Sequence, residues 1–240
     1  MSSPDLLGSL PPSGTAVIVG GSGALGGAFT RLAKQSGRFT DVVGLSRQSV
    51  PIIDLTREAT IEAAAAHLRD TRAPLRLVVD ATGFLHGPGA MPEKTWRELA
   101  PARLAEAFAI NAIGPALLMK HLLPLLAREG KTVFATLSAR VGSIADNRLG
   151  GWYGYRASKA ALNQFVRTAA IELARTRPAA ICVALHPGTV DSALSRPFSK
   201  TGLDVRCPGE AAADLIAVID ALSADRSGGF YDYNGKEIPW

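Results

Sequence analysis

The chain has 240 residues, which at roughly 150 residues per domain allows one or two domains. Apolar residues make up 47% and charged residues 20%, close to folded-domain averages, so disordered and fibrous classes are excluded. The net charge of +5 is mild and gathers into no basic tail or lysine block, so nucleic acid is not an expected partner.

Short β-branched runs alternate with longer alanine-rich runs, the pattern of parallel strands joined by crossover helices. Residues 1–13 read as a disordered lead-in, without the basic and apolar regions of a secretory signal, and residues 14–240 as a single domain. In chain order the pattern predicts a strand at 15–19, a helix at 24–35, a strand at 41–46, a helix at 58–69 and a strand at 75–80. Two helices follow, at 95–109 and 112–127, then a strand at 131–137, a helix at 154–174 and a strand at 180–185. A loop from 186 to 209, a helix at 210–222 and a short strand at 229–233 complete the chain. The most apolar run, 112–127, is broken by Lys120, His121 and Pro124, so no transmembrane helix is expected. The fold class is therefore α/β, a single doubly wound Rossmann-type domain with a mostly parallel central sheet flanked by helices.

Cys182 and Cys207 stand in no CxxC or Cys/His cluster, which points to free thiols in a reducing cytoplasm. His67, His86, His121 and His186 are scattered, no metal is expected, and only His186, beside Pro187 and Gly188, could approach a ligand.

Directly after the first strand come Gly20-Gly21-Ser22-Gly23-Ala24-Leu25-Gly26-Gly27, opening into a helix. Glycines there allow a tight turn and close approach of backbone to a pyrophosphate, and unpaired amides at the helix start point at the anion. Gly21, Gly23 and Gly26 fit one fingerprint frame, and Gly20, Gly23 and Gly26 fit another. The second strand ends Leu45-Ser46-Arg47. A hydroxyl and a guanidinium suit a 2′-phosphate where NAD-binding folds usually present a carboxylate, so NADP(H) is favoured over NAD(H). Further on, Tyr155 and Lys159 are four apart on a predicted helix, which stacks them on one face. A fixed cation near a phenol favours phenolate and fits the tyrosine for proton exchange with a carbonyl or alcohol oxygen.

These features, in this order and over nearly the whole chain, resemble the short-chain dehydrogenase/reductase family. The stretch from Leu137 to Lys159, with Ser-Ile-Ala-Asp-Asn-Arg-Leu-Gly-Gly-Trp-Tyr-Gly-Tyr-Arg-Ala-Ser-Lys at its end, is similar to the C-factor and Sniffer-type carbonyl-reductase subgroup. The resemblance implies Tyr155 as catalytic acid/base, with Lys159 lowering its pKa and holding the nicotinamide ribose. It implies Asn111 as support for a proton-relay water, and Asp54 and Leu55 beside the adenine. Asp80-Ala81-Thr82-Gly83 stand where the family has Asn-Asn-Ala-Gly, and Pro187-Gly188-Thr189-Val190 match the segment over the nicotinamide, with Ser192 in its Thr position. Trp152, Tyr153 and the 192–207 loop are expected to shape a substrate pocket. The implied partner is a small carbonyl or alcohol substrate, with pro-S hydride transfer, no membrane, and a homodimer or homotetramer as the assembly.

Three positions depart from the family pattern. Residue 24 is alanine where the family's third frame, starting at Gly20, has glycine; Gly23 can supply the turn. Asp80 puts a carboxylate where asparagine is usual. The substrate-binding serine is assigned to Ser143 by its distance from Tyr155, with Ser138 second, because the motif frame leaves Ala139 at the expected place. If neither hydroxyl reaches the substrate, the alternative is a nucleotide-binding signalling or regulatory protein with little or no turnover.

Overall fold

The computed structural model describes residues 6–71, 73–87, 91–198 and 204–240. Six parallel strands form the main sheet: β1 (Thr15–Val19), β2 (Asp41–Leu45), β3 (Leu75–Asp80), β4 (Thr132–Leu137), β5 (Ala180–His186) and, named ahead of two short strands as the sixth of the sheet, the strand Phe230–Asp232. Their order is β2-β1-β3-β4-β5 with Phe230–Asp232 at the far edge, and every pairing is parallel. Helices α1 (Ala24–Gln35), α2 (Glu58–Arg69), α3 (Pro101–Phe108), α4 (Gly114–Leu122), α5 (Tyr153–Ala174) and α6 (Pro208–Ala221) complete the α/β architecture.

Alternation along β1 divides the core. Val17 and Val19 face one layer with Ile61 and Ala65 of α2, Leu118 and Leu122 of α4, and Leu162 and Val166 of α5. Ala16 and Ile18 face the other layer with Phe29 of α1 and Leu215 and Ile219 of α6. Parallel strands covered on both faces are apolar throughout, which explains the unbroken β-branched runs. The strand order reverses between β1 and β3, and the carboxyl ends there are where open α/β sheets form their ligand crevice.

Four sequence expectations change. The lead-in was expected to be disordered, but from residue 6 it is packed, with Leu7 and Leu10 fully buried in the α1/α6 layer. Each buried leucine contributes about 2 kcal/mol. Arg38 Nε also donates to the Leu10 carbonyl (2.8 Å), and Lys131 Nζ donates to Ser9 Oγ (2.8 Å).

The helix expected at 95–109 is a short 3₁₀ turn, Trp96–Glu98, then an extended step, and helix again only from Pro101. Proline disfavours the helical region at the residue before it, where Ala100 is extended, and favours the first helical position. From there α3 runs through a π turn, Ala109–Ile113, straight into α4, where two separate helices were expected. The resulting run, Pro101–Leu125, is long and apolar enough by length and composition to cross a membrane, although its Leu118, Met119 and Leu122 are packed in the core. Finally, the 186–209 loop carries two short paired strands, Thr189–Val190 and Val205–Arg206, and a 3₁₀ turn at Arg196–Phe198.

Candidate active site

A cavity of about 700 Å³ opens at the carboxyl ends of β1, β2 and β3. It brings together Gly20, Ser22, Gly23, Ser46, Arg47, Asp54, Leu55, Ala81, Thr82 and Gly83 from segments far apart in sequence. Gly20 adopts a φ of +80°, and a Cβ there would lie 3.1 Å from the Ala81 carbonyl. A Cβ on Gly26 would lie 2.1 Å from the Gly20 oxygen, so α1 is pressed against the turn. Gly23 is the N-cap of α1 and no side chain caps the helix, which leaves the first amides, at Ala24, Leu25 and Gly26, for an anion. Gly21 is closely placed as well, since a Cβ there would lie 3.0 Å from the Gly44 Cα, so the geometry uses glycines of both frames. Ala24 and Gly26 contribute backbone but do not line the cavity, while the Leu25 side chain reaches a second one.

Arg47 is exposed at the rim and makes no hydrogen bond or ion pair among the described residues. Asp54 accepts from the Thr56 amide (3.0 Å) and hydroxyl (2.7 Å), and these bonds, with help from Arg47 and Arg57, hold its carboxyl below the usual range. Asp80 lies behind the cavity, buried. It accepts from Thr82 Oγ1 (2.6 Å), the Thr82 amide (3.1 Å) and Thr136 Oγ1 (2.7 Å), and burial pushes its pKa up despite them. His86 lines this cavity, whereas His186, the histidine expected near a ligand, lines the second one.

The second cavity, of about 500 Å³, is lined by Leu25, Ser138, Ala139, Trp152, Tyr155, His186, Pro187, Gly188, Val190, Ser192 and Phe198, among others. Tyr155 is half-buried, and burial pushes its phenol up to about 12. Lys159 is 2% exposed; its Nζ donates to the Leu137 carbonyl (2.8 Å) and stands 6.0 Å from the centre of the Tyr155 ring. The helical spacing does place the pair on one face. The spacing was expected to lower the phenol, but burial is the effect that governs it and acts in the opposite direction. Burial pushes Lys159 down to about 8, against the pull of Asp80. His186 is pushed down to about 4 by burial and Arg140, so it is neutral near pH 7.

A family model described as enoyl-(acyl carrier protein) reductase matches residues 28–205, most of the chain. The chain belongs to the short-chain dehydrogenase/reductase family. It is an oxidoreductase by that membership. It is 39% identical to C-signal of Myxococcus xanthus over 141 residues, covering 58% of this chain and 80% of that protein. Against 1-hydroxy-2-glutathionyl-2-methyl-3-butene dehydrogenase of Rhodococcus sp. (strain AD45) the identity is 33% over 190 residues, 79% of each. Its fold is shared with NADPH-bound carbonyl reductase from chicken fatty liver (TM-score 0.84, 23% identity, all of both chains). A short-chain dehydrogenase/reductase from Burkholderia multivorans with bound NADP is 27% identical (TM-score 0.77, 95% of this chain and all of that one).

Against the family pattern, the serine is where the geometry corrects the sequence reading. Ser143 is buried, does not line the Tyr155 cavity, and its hydroxyl accepts from the Asp146 amide (3.1 Å), closing a turn. Ser138 lines the cavity beside Ala139 and donates to Asn163 Oδ1 (2.7 Å). Asn111, fully buried in the π turn, lines neither cavity. Its Oδ1 accepts from the Phe84 amide (2.8 Å), and its Nδ2 donates to the Phe84 carbonyl (2.7 Å) and Ser158 Oγ (3.2 Å). Its side chain therefore fastens the segment after β3 to α5. Trp152 lines the cavity and packs edge-on against Tyr155 and Phe198, whereas Tyr153 does not line it.

Glu93 is a residue that sequence reasoning missed. It is 5% exposed, its Oε2 accepts from the Gly154 amide (3.1 Å), and its carbonyl accepts from the Trp152 amide (2.5 Å). It thus caps α5 just before Tyr155, a carboxylate at a helix N-terminus. A cap lying 61 residues upstream has no local spacing signature.

Proposed function

We propose that the protein is an NADP(H)-dependent reductase of small carbonyl compounds, working reversibly on the corresponding alcohols. Four features fit the dinucleotide: uncapped α1 amides, a Gly20–Gly26 approach without room for a side chain, an Arg47 without a partner among the described residues, and a second cavity at Tyr155. Ser46 and Arg47 would take the 2′-phosphate, Asp54 and Leu55 the adenine side, Ala81–Gly83 the adenosine, and Pro187–Val190 the nicotinamide side. The Burkholderia relative with bound NADP supports that choice. When bound, the nicotinamide supplies or accepts the hydride.

The observation that carries the reading is the Tyr155 phenol on the same cavity wall as Pro187, Gly188 and Val190. A neutral Tyr155 is a proton donor for an oxygen that gains negative charge during reduction. Lys159 sits behind it as a buried cation. Ser138 is the hydroxyl suited to steady that oxygen. Asn163 Nδ2 is buried without a partner, so turning the amide over would let it donate to Ser138 and release the serine proton toward the cavity. Residues from Val19 to Phe198 contribute to the two cavities, so residues 14–240 are read as one working unit. The reducing cytoplasm, where exposed Cys207 stays a thiol, is the setting this reading takes.

A second reading, nucleotide binding without turnover, draws on Ala139, on the occupied Ser138 hydroxyl and on the likeness to C-signal. Turnover of NADPH with a panel of aldehydes, ketones and quinones separates the two. The wild type should turn over part of the panel, and Tyr155→Phe should lose about 10³-fold in kcat. NADPH binding with equal inertness of both proteins would discard the reductase reading for the second one.

A further inference from the structure

The Tyr155 cavity is walled by apolar groups, Leu25, Leu85, Trp152, Leu194 and Phe198, yet three arginines also line it. Arg140 is already engaged: its Nη1 reaches Asp146 (3.3 Å), the carboxylate of the lining, and its Nη2 reaches Asp232 (3.2 Å). The other two have no carboxylate partner among the described residues. Arg156 spends Nε on the carbonyls of Gly150 (3.2 Å) and Gly151 (2.9 Å) and Nη1 on that of Val141 (3.2 Å), leaving Nη2 over. Arg148 makes only one long bond, from Nη1 to the carbonyl of its neighbour Asn147 (3.4 Å).

The loop holds Arg156 in place, while Arg148 is exposed at its edge. Gly150, Gly151 and Trp152 take three consecutive positive φ values, 64°, 64° and 52°. That run of left-handed backbone is strained at the tryptophan. It is held from one side by Glu93, through the Trp152 amide, and from the other by Arg156, through the two glycine carbonyls. Two guanidiniums without anions, beside an apolar cavity with a proton donor in its wall, form an incomplete charge pattern. A planar carboxylate completes it, taking the guanidinium of Arg148 and a further bond from Nη2 of Arg156.

On the reductase reading above, we propose that the substrate is an aldehyde or ketone with an apolar body and a carboxylate, the carbonyl at Tyr155 and the carboxylate at Arg148 and Arg156. The probe pair is 4-carboxybenzaldehyde and its neutral counterpart methyl 4-formylbenzoate, assayed with saturating NADPH. The wild type should favour the acid by about tenfold or more in kcat/KM. Arg148→Gln should bring the acid-to-ester ratio near one, through the KM of the acid. A wild-type ratio at or below one, or a ratio kept in Arg148→Gln, overturns the proposal. If neither aldehyde is turned over, the reductase reading is what fails, and calorimetry with terephthalate against its dimethyl ester decides the rest. Binding of the diacid alone, lost in Arg148→Gln, keeps the carboxylate site; no binding, or binding unaffected by that change, removes it.

Discussion

The two cavities are built by different means. Around Gly20 the chain offers main-chain amides, a turn without side chains, and strand ends whose positions follow from the sheet. Around Tyr155 it offers hydroxyls, guanidiniums and aromatic rings whose directions depend on the path of the 143–152 loop. Backbone-made binding is written in residue spacing, because glycine positions and helix starts fix where amides point. Side-chain-made chemistry is not, because the path of the loop decides whether a serine faces the cavity or closes a turn.

The serine pair tests that contrast most sharply. Ser138→Ala should lower kcat about 10²-fold, the scale of losing one donor to a developing oxyanion. Ser143→Ala should leave kcat within about twofold and cost about 1 kcal/mol of stability, since it removes only the acceptor for the Asp146 amide. Steady-state kinetics with a denaturation curve for each variant checks both. The opposite pattern, turnover lost at 143 and kept at 138, would mean that spacing from Tyr155 outranks the loop geometry described here.

On the other side of the contrast, Arg47→Asp should weaken NADPH binding by about 10- to 100-fold while changing NADH far less. The guanidinium is exposed and unpaired among the described residues, and a carboxylate there would repel a 2′-phosphate. Titration by nucleotide fluorescence reads both constants, and equal weakening would remove Arg47 from cofactor choice.

What the sequence made legible follows the same line. β1, α1, α2 and β3 fall where the apolar period and the Gly20–Gly27 punctuation put them, because each is a regular element with a local start signal. Most of the residues expected around the dinucleotide do meet in one cavity. The lead-in was misread because two leucines in a Ser/Pro-rich stretch carry no period, and only the distant contacts of α1 and α6 reveal them as core. The 95–125 region was misdivided because Pro101 starts a helix that a periodic reading had already begun, and because a π turn adds a residue that no period anticipates. Asn111 and Glu93 are decided by partners 27 and 61 residues away, Phe84 and Gly154, beyond the reach of any local pattern.

Lys159 joins both kinds of region, since helical spacing placed it but burial sets its charge. Its pKa is pushed down from 10.5 to about 8, so between those values the unfolded chain holds a proton that the folded one has released. Stability therefore rises with pH through that window, and the cost of the buried cation is fully present below about pH 8. Replacing the lysine by an apolar side chain of similar length removes that cost. Lys159→Met should raise Tm at pH 7 by a few degrees, with the gain shrinking as pH climbs toward 10.5 and turnover falling at every pH. Thermal scans of both proteins at pH 7 and pH 10 read the difference. A Tm difference that does not change with pH would show that the ammonium is solvated, and the buried cation would then no longer separate this half of the site from the other.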